Sequence, residues 1–174
     1  MKPSEVLMHF DQFINKKNLS FEAVIIGGTA LSVLGIISRQ TRDCDVLHPI
    51  IPNNILKASK QFAKLHNLDS NWLNNGPKDL VKDLPKNWID RTQVIFQGQA
   101  LRLRTLGRID LLRTKLYAYC DRGFDLADCL QLNPTKSELY VIKKWIKSLD
   151  TNQDWPEHVD NVFNQLAKRL SHEL

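Results

Sequence analysis

The segment Phe21 to Ile26, FEAVII, is stopped by two consecutive glycines, Gly27 and Gly28. Aromatic and β-branched side chains favour a pleated strand, and the glycine pair lets the backbone turn sharply at its end. Between that turn and the next strand-like segment, Asp43 to Leu47, the apolar run TALSVLGII has room for two helical turns or slightly more, with Thr29 placed as its N-cap. The predicted order is therefore strand, tight turn, short helix, strand.

Upstream, Val6, Leu7, Phe10, Phe13 and Ile14 recur at helical spacing behind Pro3, which predicts an amphipathic helix over residues 3–17. Downstream, Pro49 and Pro52 close the second strand, and Ile55, Leu56, Ala58, Phe62, Ala63 and Leu65 mark a helix running to about His66. The stretch DSNWLNNGPKDLVKDLPKNW is crowded with Asn, Pro, Gly and Asp and reads as an irregular connection with one short helix at most. Residues 92–97 and 100–106 read as a hairpin turning around Gln97-Gly98-Gln99. Helical spacing then continues over 108–122, 124–131, 136–148 and 157–172. A small mixed sheet followed by helices is an α+β arrangement. Its natural division is an α/β core over 1–107 and a C-terminal helical region over 108–174, expected to pack as one compact unit.

Composition excludes several classes. With 174 residues, 43% of them hydrophobic and 25% charged, the chain can bury a core and is neither disordered nor collagen-like. Its longest apolar runs fall far short of the ~20 residues that span a bilayer, and MKPSEVLMHF lacks the apolar stretch of a signal peptide. Cys44, Cys120 and Cys129 match no zinc or redox spacing. Together these point to a cytoplasmic protein with reduced thiols and no membrane partner. The net charge of +5 is moderate, but Arg102, Arg104, Arg108, Arg113 and Lys115 fall close together and form a candidate phosphate-binding cluster. His9, His48, His66, His158 and His172 have no metal-ligand spacing. Trp72, Trp88, Trp145 and Trp155 read as packing anchors.

Asp43 and Asp45 carry the strongest chemical signal. On a strand, side chains alternate, so both carboxylates are expected on one face and Cys44 on the other, buried and unreactive. An isolated D-x-D on a solvated edge is ordinarily charged surface. Here the Gly27-Gly28 turn and Thr29 form an anion-binding concavity that lies near the carboxylates if the two strands are adjacent. A divalent cation that takes carboxylate oxygens and substrate phosphates would relieve the repulsion between the two acids. In KLYAYCDRGFDLADCLQL, Lys115 and Arg122 are two helical turns apart and share a face with the small Ala118, an arrangement suited to a triphosphate. Asp125 and Asp128 follow, able to pair with those cations or to cap the next helix.

These two stretches resemble the nucleotidyltransferase superfamily that includes DNA polymerase β, in particular its minimal and abortive-infection toxin branches. The upstream match is Gly-Gly-Thr-Ala-Leu, a short helix, then Arg39 and Thr41 leading into Asp43-Cys44-Asp45. The downstream match is the helical motif with Lys115, Ala118, Arg122, Asp125 and Asp128. The resemblance implies transfer of a nucleoside monophosphate from an NTP to an acceptor hydroxyl, with Mg²⁺ or Mn²⁺ held by Asp43 and Asp45. It implies a nucleotide cradle of Gly27, Gly28, Thr29, Arg39 and Arg122, and a catalytic contribution from Lys115. The acceptors used by relatives include tRNA ends, protein side chains and small molecules. The family's third carboxylate has no counterpart in TQVIFQGQALRLRTL, which contains no acid; Asp90 lies just before that hairpin, Asp110 just after it where it reads rather as a cap of the helix near Arg108, and Asp125 is the other candidate for that role. The same residues also suit a catalytically degenerate module acting as an antitoxin or regulatory partner of a cognate protein.

Overall fold

The computed structural model describes residues 2–38 and 41–172. The chain divides into two compact units, Met1–Gly107 and Arg108–Leu174. The fold class is the α+β arrangement the element order predicts, with a five-stranded mixed sheet in the first unit and helices alone in the second.

In the first unit, helix α1 (Pro3–Asn15) places Leu7, Phe10 and Ile14 inward. It ends two residues earlier than its apolar spacing suggests, because the chain turns through Asn18 at φ 54°. Strand β1 (Phe21–Ile26) leads directly into helix α2 (Gly27–Val33), and β2 (Cys44–His48) returns antiparallel beside β1, pairing Ile25 with Val46 and Ile26 with Asp45. Helix α3 (Asn53–His66) follows and is closed by Asn67 in the left-handed conformation. The polar connection contains a two-residue strand, β3 (Leu73–Asn74), and two 3-10 turns, Gly76–Lys82 and Trp88–Arg91. Strands β4 (Gln93–Gln97) and β5 (Leu101–Thr105) form the expected hairpin. The sheet order is β3-β2-β1-β5-β4, with β5 parallel to β1 and β3 parallel to β2.

The core of this unit joins α1 and α3 to the sheet. Phe10, Phe62 and Trp72 meet edge-on or tilted, with ring centroids 5.1 to 5.7 Å apart, and the Trp72 indole N–H donates to the Ser59 carbonyl. Burying each such side chain contributes about 1.5–3 kcal/mol, which is why a chain of this size can hold a sheet with so short an edge strand. Asp11 is the polar exception in α1. Its carboxylate is buried and accepts the backbone N–H groups of Gln99, Ala100 and Leu101, and a side chain at Gly98 would collide with it. One acid on a helix thus fixes the tip of the β4–β5 hairpin.

The second unit contains α4 (Arg108–Arg122), α5 (Leu126–Leu132), α6 (Lys136–Lys147) and α7 (Trp155–Arg169). Gly123 and Asp125, both at positive φ, break α4 from α5. Helix α6 starts with a reciprocal cap in which the Thr135 hydroxyl accepts from the Glu138 N–H and the Glu138 carboxylate accepts from the Thr135 N–H. The Arg108 guanidinium bonds both Glu138 oxygens and the carbonyls of Leu132 and Asn133. Leu112, Leu116, Cys129, Leu139, Ile142, Val159 and Phe163 are buried. Among the described residues no helix is long and apolar enough to cross a membrane.

Candidate functional site

The Gly27–Asp45 edge forms because β1 and β2 are neighbours. With Ile26 opposite Asp45, the next residue after β1 lies against the Asp45 side chain. Gly27 adopts φ 76°, a conformation that side-chain-bearing residues avoid, and a Cβ there would stand 2.7 Å from Asp45 Oδ2. Only glycine permits this approach of backbone to carboxylate. On its other oxygen, Asp45 accepts a hydrogen bond from Asn74 Nδ2 at 3.0 Å.

Thr29 does not cap α2. The helix begins at Gly27, with Ile26 in the cap position, so Thr29 already lies within it, buried. Its hydroxyl donates to the Asp43 carbonyl at 2.6 Å and lies 2.8 Å from the Thr41 hydroxyl. A hydroxyl has one proton, so Thr41 donates to Thr29 while Thr29 donates to Asp43. Thr29 therefore fixes the chain entering β2. Asp43 also departs from the expected strand, which starts at Cys44. The carbonyl of Asp43 is taken by Thr29, so strand alternation does not set the direction of its side chain. Asp43 is exposed and Asp45 half-buried. Arg39 lies outside the described residues.

Cys44 alternates with Asp45 and is buried. Burial pushes its thiol well above the usual range, and the charges of Asp45 and Asp43 push it the same way, so it is neither a nucleophile nor a ready ligand. A cavity of about 530 Å³ is lined by Leu7, Thr29, Thr41, Asp43, Cys44 and Trp72, among others. Its lining includes both Asp43 and Cys44. No group of three or more His, Cys, Asp or Glu side chains among the described residues could hold a metal ion.

In the second unit, Lys115, Arg122, Asp125 and Asp128 form one connected array. Lys115 Nζ donates to Asp128 at 2.7 Å and to Asp125 Oδ1 at 3.1 Å, and Arg122 donates to Asp125 Oδ2 at 3.2 Å. The two cations share a helix face, as their spacing predicts, and the two acids meet them from the start of α5. Lys115 is buried, while the Arg122 side chain is 58% exposed and remains open to solvent. Cys129 in the same array is pushed up to about 12 by burial, despite the lowering influence of Lys115.

The remaining basic residues are engaged locally. Arg104 donates to the Thr92 hydroxyl and carbonyl, Arg102 lies 3.7 Å from Glu22, and Arg113 pairs with the fully buried Asp110. With Arg108 on Glu138 and Lys115 on its two acids, each member of the cluster has an acid or backbone partner nearby, while the Arg102 and Arg108 side chains stay 42% and 51% exposed. Asn74, Asn75 and Asp11 are the residues that sequence reading misses. Asn74 and Asn75 lie in a stretch that shows no strand periodicity, and their one signal is the adjoining Gly76-Pro77 turn.

No curated protein and no solved structure matches the chain. Residues 5–132, which span both the Gly27–Asp45 edge and the Lys115 array, match the family model described as nucleotidyltransferase of unknown function (DUF6036), and the chain belongs to that family.

Proposed function

We propose that this chain is a Mg²⁺- or Mn²⁺-dependent nucleotidyltransferase that moves a nucleoside monophosphate from an NTP to an acceptor hydroxyl on RNA or a tRNA end, a protein or a small molecule. The observation that supports this best is the close approach of Gly27 to the Asp45 carboxylate. It puts half-buried backbone free of side chains and an oriented acid at one spot, as binding of a phosphate chain next to a cation requires. The donor set fits Mg²⁺: Asp43 and Asp45 are hard oxygen donors, and Cys44 faces away. Asp43 and Asp45 would hold the cation, which would draw its other ligands from water and triphosphate oxygens. When bound, the metal supplies charge neutralisation for the triphosphate.

In this reading the acceptor oxygen bonds to the α-phosphorus as the bond from that phosphorus to the bridging oxygen breaks. Pyrophosphate leaves with the electron pair, and the hydroxyl proton passes to solvent water. Gly27 and Gly28 cradle phosphate oxygens with backbone groups. Thr29 serves them indirectly, by locking Thr41 and the Asp43 carbonyl. In the second unit, taken by itself, Arg122 is the solvent-facing cation suited to phosphate charge. Lys115 and Asp125 act as positioning residues that hold it, because both oxygens of Asp125 are already engaged.

The test is transfer of label from α-³²P-NTPs, with Mg²⁺, to a panel of tRNA, protein and small-molecule acceptors. Asp43→Asn and Asp45→Asn should abolish labelling while circular dichroism stays native. Equal labelling by wild type and both variants overturns the reading. A second reading, a catalytically degenerate module acting as antitoxin or regulatory partner, is favoured by the neutral Asn74 beside Asp45. Calorimetry separates the two: the enzyme binds NTP only with Mg²⁺, whereas the degenerate module binds it weakly or not at all.

A further inference from the structure

Asp45 has one register partner on each side. On β1 it is Ile26, which is apolar, and on β3 it is Asn74. Asn74 is not a loosely placed surface amide. Its Oδ1 accepts the Gly76 N–H at 2.7 Å, which identifies that end as the oxygen and turns Nδ2 toward Asp45. A Cβ at residue 76 would stand 2.8 Å from Asn74 Oδ1, so glycine there keeps the amide in place. The next residue clamps the same segment to the end of β2. Asn75 donates to the Val46 and Pro49 carbonyls and accepts from the Ile51 N–H.

We infer that Asn74 is a positioning residue for Asp45 and sets the divalent-cation affinity of this edge. This deepens the reading of Asp43 and Asp45 as cation ligands and rests on it. An amide donor fixes the orientation of the Asp45 carboxylate and directs Oδ2 toward Gly27, while adding no charge. An acid at the same register position would set a further carboxylate within hydrogen-bond distance of Asp45, and the repulsion would be relieved by a cation. Asn74 therefore puts an uncharged group beside Asp45, in a place where an acid would raise cation affinity.

The experiment is Mn²⁺ binding to the full chain, by electron paramagnetic resonance without nucleotide, for wild type, Asn74→Asp, Asn74→Ala and Asp45→Asn. Thermal unfolding of each protein with and without Mn²⁺ accompanies it. Asn74→Asp should bind Mn²⁺ about tenfold more tightly than wild type and gain a larger Mn²⁺-dependent rise in Tm. Asn74→Ala should bind several-fold more weakly. Opposite shifts cannot come from a merely structural role, and Asn74→Asp carries the test alone if the alanine variant does not fold. If both Asn74 variants bind as wild type does while Asp45→Asn loses the ion, the inference is wrong and the metal reading stands. If Asp45→Asn binds as wild type does, or no protein binds Mn²⁺, the metal reading fails and the inference falls with it.

Discussion

The Gly27–Asp45 edge and the Lys115 array both hold acids in place, by different means. At the edge, Asp45 is oriented by an amide and by the close backbone of Gly27, and the entry to β2 is tied down by a threonine hydroxyl. In the array, acids and cations hold one another, with Lys115 between two carboxylates and Asp125 between two cations. The amide and the close backbone that orient Asp45 bring no cation of their own. A buried ion pair uses its charge internally, and each member depends on the other for its solvation.

The largest effect should therefore come from breaking the array. Asp128→Ala leaves Lys115 buried beside one remaining acid, and should cost about 3–5 kcal/mol in urea unfolding, whereas Asp43→Ala at the exposed edge should stay within about 0.5 kcal/mol. Similar costs for the two would erase the contrast. Gly27→Ala comes next. It strains a residue at positive φ and drives a methyl group onto Asp45, so a loss of about 1–2 kcal/mol is expected by the same measurement, together with loss of Mg²⁺-NTP binding. A variant with native stability and native nucleotide binding would show that the edge does not depend on close approach.

The smallest effect tests charge pairing on the surface of the second unit. The Arg108 hydrogen bond holds the Glu138 carboxyl below the usual range, with further help from Thr135 and against the opposing influence of partial burial. A depressed carboxylate contributes stability above its unfolded-state pKa and loses it as pH falls through the folded-state value. Glu138→Gln should therefore cost about 1 kcal/mol at pH 7, and the gap to wild type should close below about pH 4. Unfolding curves across that range check the sign, and a gap that widens in acid would reverse it.

Much of the fold is legible in the chain because its elements are locally consistent. FEAVII followed by Gly-Gly, the Leu7-Phe10-Ile14 spacing and the helical spacing over 136–148 each specify an element within a few residues. The edge is legible in part. Gly27 and Asp45 are recognisable as types, but Thr29 reads as a cap until its hydroxyl is found on Asp43. Asp43 reads as a strand residue until the ladder is seen to begin at Cys44. Asn74 sits on a strand of two residues, too short to show alternation. Asp11 resembles any helix-surface acid, and only the hairpin folding against it explains its burial.

By itself the sequence determined the strand, turn, short helix and strand order, the α+β class, the two carboxylates behind a glycine pair, and the family to which they belong. These depend on spacing along the chain, and local sterics and periodicity write that spacing directly. The tertiary structure decided what each charge and amide meets: Asn74 on Asp45, Asp11 under the hairpin, Arg113 on Asp110 and Lys115 between Asp125 and Asp128. Those pairings join residues distant in sequence. A hydrogen bond depends on where two atoms end in space, and the composition of either segment alone does not contain that.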